Sequence, residues 1–156
     1  MQVTEDFKAA TEKFPDCVEC YALYAKVLQE RQDFAGSDAM YLKGIELNPA
    51  NANLLVHRAL LAVQISKDVN KAHEAVEEAL KVDDKCEFAW ETIGQIYIQK
   101  DNMEKAMEAF DKAIPLVNTE LEMAHLYGLR ESAAGKASAR RKLAELPTGM
   151  QDMGLD

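Results

Sequence analysis

The stretch Trp90-Glu91-Thr92-Ile93-Gly94-Gln95-Ile96-Tyr97, followed after eight residues by Ala106-Met107-Glu108-Ala109-Phe110-Asp111-Lys112-Ala113, decides the fold. It reads W-x-x-I-G-x-x-Y and then A-x-x-x-F-x-x-A, with large and small residues at helical steps on either side of the turn Asp101-Asn102-Met103. Working outward, the large position of the second helix falls on Phe7, Tyr41, Val76 and Phe110, at spacings of 34, 35 and 34. The small position three residues later falls on Ala10, Gly44, Ala79 and Ala113, and the position that ends the helix on Pro15, Pro49, Asp84 and Asn118, in the same register. The turn column adds Gln32-Asp33-Phe34 and Lys67-Asp68-Val69. Small residues let neighbouring helices approach, large apolar ones fill the gaps that remain, and a proline past a helix end prevents its continuation.

Seven spaced positions and a period near 34 are the signature of the tetratricopeptide (TPR) repeat, a helix-turn-helix unit that stacks into an array. The expected fold class is therefore all-α, a TPR solenoid with a terminal capping helix. Residues 1–14 read as the second helix of a preceding repeat. Residues 15–118 hold three repeats (18–50, 52–84 and 87–118), 119–144 form a capping helix region of one long or two short helices, and 145–156 form a flexible tail punctuated by Gly and Pro. Asp84 with Glu87, and Thr119 with Glu122, have capping-box spacing. The middle repeat is one residue long, and the extra residue is assigned to its first helix or the turn after it. Starting inside a repeat suggests a fragment of a longer array, whose first helix exposes an apolar face that a second copy could cover.

Composition narrows the function. Lys plus Arg is 18 against 27 Asp plus Glu, a net charge of −9, with an isoelectric point of about 4.9. Nucleic acid and anionic lipid both ask for a basic face, so neither is an expected partner. With no run of 18 apolar residues, this chain is not expected to insert in a membrane. No catalytic constellation is present, so the protein is not read as an enzyme. His73-Glu74 lacks the second histidine of a zincin helix, and no metal-ligand spacing joins His57, His73 and His125 to the cysteines. The glycines are scattered rather than gathered in a phosphate loop. No cofactor or metal is implied. Cys17-Val18-Glu19-Cys20 has redox or zinc spacing, but no strand precedes it, and the three cysteines are read as small buried hydrophobes in a reducing compartment.

In the TPR frame the second, fifth, ninth and twelfth positions of each repeat face the concave side, where peptides bind. The first full repeat places Glu19, Ala22, Lys26 and Gln29 there. The second places Asn53 or Leu54, Val56 or His57, Leu60 or Leu61, and Val63 or Gln64, of which Val56, Leu60 and Val63 are taken. The third places Phe88, Glu91, Gln95 and Ile98, and the terminal helix Glu122, His125 and Leu129. Apolar residues mixed with carboxylates suit a basic amphipathic segment. Ala22, Lys26 and Phe88 do not match the Lys/Asn pattern of TPR clamps for chaperone tails, so that ligand is not expected.

Four runs are more specific than the repeat frame. These are Tyr21-Ala22-Leu23-Tyr24-Ala25 after Phe14-Pro15-Asp16-Cys17, the run from Asp83 to Gly94, Asp101-Asn102-Met103-Glu104-Lys105-Ala106-Met107, and the run from Glu122 to Leu129. They resemble the animal seventy-kilodalton TPR preprotein receptor of the mitochondrial outer membrane, over about residues 14 to 129. The resemblance implies the C-terminal end of the receptor's cytosolic part, contributing to a pocket for preproteins with internal or amphipathic basic targeting segments. It also implies contact with other import-complex subunits at the cytosolic face of that membrane. The alternative is a structural solenoid end or self-association module of a scaffold or co-chaperone TPR protein.

Overall fold

The computed structural model describes residues 2–147 and Gly149. Among these there are eight α-helices and no strand: α1 Gln2–Lys13, α2 Val18–Glu30, α3 Phe34–Leu47, α4 Ala52–Ser66, α5 Val69–Val82, α6 Glu87–Gln99, α7 Met103–Ala113 and α8 Glu120–Ala144. A 3-10 turn, Ile114–Leu116, follows α7. This is an all-α fold of TPR-type helix-turn-helix units. The expected tail beyond residue 147, Gly149 apart, lies outside the described residues.

The three turns within helix pairs share one construction. Gln32, Lys67 and Asp101 each adopt positive φ (63°, 59° and 68°). The next residue is an N-cap: Asp33 accepts from the Gly36 N–H at 3.0 Å, Asp68 from Asn70 at 3.0 Å, and Asn102 from Lys105 at 3.1 Å. An apolar residue then opens the second helix. Left-handed backbone at a residue with a Cβ costs about 1 kcal/mol, and an N-cap of this kind returns about as much. The turn column of the sequence is thus a conserved backbone path within one chain.

The structure corrects one cap. α6 starts at Glu87, so Asp84 is not the N-cap of a box with Glu87. Asp83 instead accepts from the Lys85 N–H at 3.0 Å in the preceding turn. Thr119 is the N-cap of α8, accepting from the Glu122 N–H at 3.2 Å while its hydroxyl donates to Glu122 Oε2 at 2.7 Å. α8 is a single 25-residue helix.

The chain divides into two compact units, Met1–Ala89 and Trp90–Asp156, with the division inside α6. In the first, α1 packs on α2, α2 on α3, α3 on α4 and α4 on α5. Its central cluster is Ala25, Tyr41, Leu54 and Leu61, flanked by Val18, Ala22, Phe34, Met40 and Ile45. In the second, α7 packs on α8 around Met103, Ala106, Phe110, Ala113, Leu126, Ala133 and Ala137, flanked by Trp90, Tyr97, Ile98 and Leu129. Gly94 has its sequence-predicted role here. A Cβ on it would lie 2.6 Å from Phe110 Cε1, so only glycine lets the ring close on α6.

Candidate functional site

In the first unit, the extra residue of the middle repeat decides which side chains reach the surface. α4 has 15 residues where α2 has 13, and the turn after it has two residues where the first has three, so the net one-residue insertion lies within α4. A helix turns 100° per residue, and a one-residue shift moves a side chain from a face into the core. Val56, taken as a surface residue, is fully buried. Leu54 and Leu61 belong to the core cluster. The face that remains is Asn53, His57, Leu60 and Gln64, at steps of four, three and four. Val63 is half-buried beside it, and Ala22 packs against the core.

This face and α2 border an open cleft of about 420 Å3, lined in part by Lys26, Gln29, Tyr41, His57 and Gln64. Gln29 Nε2 donates to Gln64 Oε1 at 2.8 Å. His57 stacks on Tyr41 (ring centroids 6.0 Å apart, planes within 1°) and tilts against Phe88 at 4.7 Å. Burial first, and the Lys26 charge second, lower its pKa from 6.5 to about 4. The imidazole is therefore neutral at neutral pH, able to donate one hydrogen bond and accept another. Tyr41 is fully buried, and its hydroxyl has no hydrogen-bond partner among the described residues. Glu19 is exposed at the start of α2, outside this cleft's lining.

The second unit places different chemistry on its surface. Glu91 Oε1 accepts from Gln95 Nε2 at 3.0 Å and pairs with His125 Nε2 at 3.0 Å, so three sequence-predicted residues meet. Glu122 is exposed but engaged with Thr119 in the α8 cap. Ile98 and Leu129 are half-buried and pack against the core, which leaves only their edges to a ligand. Ile98 also lines a cleft of about 470 Å3 with Asp101, Lys136, Arg140 and Leu143. Arg140 pairs with Asp101 there, and Arg141 with Glu104 at 3.6 Å, so these two neighbouring arginines near the end of α8 are both ion-paired.

Two interhelical pairs had no local sequence signal. Arg58 binds Asp38 through two nitrogens, at 2.7 and 3.3 Å, tying α4 to α3. Arg130 does the same with Asp111, tying α8 to α7. His57 and Gln64 are alternatives in the sequence frame; counting back from the turn reaches both, but it also reaches Leu54 and Leu61, which are core. Among the described residues no group of three metal-ligating side chains forms, and no helix is long and apolar enough to cross a membrane.

Residues 89–116 match the tetratricopeptide repeat family. The chain is 45% identical over 141 residues to "Mitochondrial import receptor subunit TOM70" of Rattus norvegicus, and 44% to that of Homo sapiens. The match covers 90% of this chain and 23% of each relative, so the chain spans about a quarter of the length of these curated relatives. The crystal structure of yeast Tom70 superposes with a TM-score of 0.72 at 24% identity, covering 90% of this chain and 32% of that one.

Proposed function

We propose that this chain is a protein-binding TPR array of a mitochondrial import receptor, which recognises preproteins carrying internal or amphipathic basic targeting segments at the cytosolic face of the outer membrane. The observation that carries the reading is the 45% identity to TOM70 over nine-tenths of the chain. The surface chemistry supports it. In the second unit Glu91 and Glu122 offer carboxylates, and Ile98 and Leu129 offer apolar edges, which together suit a helix with one apolar and one basic face. In the first unit Phe88, Leu60 and the His57 ring offer apolar and aromatic surface, with Lys26, Gln29 and Gln64 as hydrogen-bonding groups, while Glu19 lies exposed at the start of α2. Exposed ion pairs of this kind contribute about 0.3–0.5 kcal/mol each, so binding is salt-sensitive and no single carboxylate dominates.

The test is titration of a fluorescent basic amphipathic peptide at low and high salt. The expected result is a Kd that rises with salt, and a Kd about 3–5-fold higher for the double variant Glu91→Gln/Glu122→Gln, with unchanged helical circular dichroism. Equal affinity of the double variant and the parent would remove the groove from the mechanism. Self-association is the second reading, and other import-complex subunits are further proposed partners. Val3 and Phe14, 52% and 53% exposed on and just after α1, favour a second copy docking there. Mass measured across a dilution series separates the two, since a monomer at every concentration discards the second.

A further inference from the structure

Cys17 and Cys20 differ from the third cysteine in exposure and in having a second sulfur beside them. Cys86 is buried, and its thiol is within 3.2 Å of Asn53 Oδ1. Cys17 and Cys20 are both partly exposed, which overturns their expected role as buried hydrophobes. Cys17 is the N-cap of α2, and its side chain makes no capping hydrogen bond. Cys20 is the third residue of the helix, on the same face one turn on. The Cys20 thiol donates to Cys17 Sγ across 2.8 Å.

We propose that Cys17 and Cys20 form a dithiol–disulfide redox site whose oxidant is a small-molecule disulfide of the glutathione class. Cys17 sits at the N-terminus of α2 and accepts the hydrogen bond of Cys20, which makes it the attacking sulfur of the pair. Glu19 Oε2 lies 3.8 Å from Cys17 Sγ. Cys20 is held protonated, first by its hydrogen bond to Cys17 and then by burial, which suits the resolving partner. The Cys17 thiolate attacks one sulfur of glutathione disulfide, and its S–S bond breaks to release one glutathione thiolate. Cys20 then loses its proton to that thiolate or to solvent and attacks the Cys17 sulfur, releasing the second glutathione. The protein dithiol loses two electrons and two protons, and one glutathione disulfide becomes two glutathione thiols.

The experiment equilibrates the intact chain in glutathione buffers of stepped oxidised-to-reduced ratio, alkylates the remaining thiols, and maps tryptic peptides by mass. Phe14–Lys26 holds both cysteines, and Cys86 lies in another peptide. The expected wild-type product is this peptide two hydrogens lighter, with no bound glutathione, while Cys86 stays alkylated. Cys20→Ser should accumulate a stable glutathione adduct on Cys17. Cys17→Ser should slow oxidation of the pair's remaining thiol about tenfold or more. The proposal is overturned if the wild-type peptide keeps two alkylated thiols at every ratio. It is equally overturned if it accumulates the mixed disulfide, or if Cys86 oxidises as readily.

Discussion

The first full repeat and the third fill the same columns in opposite ways. In the first, Ser37 Oγ donates to the buried Ala25 carbonyl at 2.8 Å, and Tyr41 fills the large position with a hydroxyl that no described residue meets. In the third the matching residues are Ala106, Gly94 and Phe110, with no polar side-chain atom among them and the Phe110 ring seated where a Cβ on residue 94 would be. The third gains close approach and dispersion; the first builds polar groups into its core. Tyr41 is at once core and cleft wall, because His57 stacks on it. The third repeat separates these roles: Phe110 is core, and Glu91 and Gln95 form the surface.

The contrast is easiest to break where packing is tightest. Phe110→Ala should destabilise the second unit by about 3–5 kcal/mol, a large part of a domain's stability. Gly94→Ala should cost about 1–3 kcal/mol by overpacking, although alanine is ordinarily the better helix former. Gly128→Ala is the control, since nothing lies within 4 Å of the added Cβ and helix propensity alone acts. Urea unfolding measures all three. A Gly94→Ala variant as stable as the parent would mean that the ring moves freely aside, and that the third repeat is not close-packed in the sense argued here.

The helix pairs were legible because their determinants are local or strictly periodic. The turn residues Asp33, Asp68 and Asn102 cap within three residues, and Gly94 with Phe110 sits at fixed repeat positions. The site was less legible. An insertion inside α4 leaves no mark in composition, and each misplaced residue rotates the face by 100°, which is how Val56 was exchanged for His57. Arg58–Asp38 and Arg130–Asp111 join helices through spacings no local rule encodes. A missing strand before Cys17 says nothing about how the cysteine pair is placed, because the first turn of a helix alone brings the two sulfurs together.

His57 gives the next effect. Its pKa falls from 6.5 unfolded to about 4 folded, so the unfolded chain binds a proton first as pH drops. Stability from the neutral ring is complete above 6.5 and is lost as pH falls from there toward 4. The full shift corresponds to about 3 kcal/mol, and solvent screening of a half-buried ring reduces this to about 1–2 kcal/mol. Unfolding free energies of the parent and His57→Phe, measured between those limits, should diverge by that amount, the parent losing more. Parallel pH profiles would mean that the ring is solvated, and that the first unit's cleft is as open at His57 as the second unit's surface is at His125.

The smallest effect tests the polar core itself. Deleting an unpartnered buried hydroxyl removes its desolvation penalty, so Tyr41→Phe should leave stability unchanged or raise it by up to about 1 kcal/mol, making the first repeat resemble the third. Ser37→Ala should act in the opposite direction, lowering stability by about 0.5–1.5 kcal/mol, because that hydroxyl is bonded to the Ala25 carbonyl. Opposite signs from two hydroxyls four residues apart on α3 would establish that one is satisfied and the other tolerated. If Tyr41→Phe instead loses 1 kcal/mol or more, the Tyr41 hydroxyl is satisfied by bound water, and the first repeat's core includes the solvent in the cleft beside it.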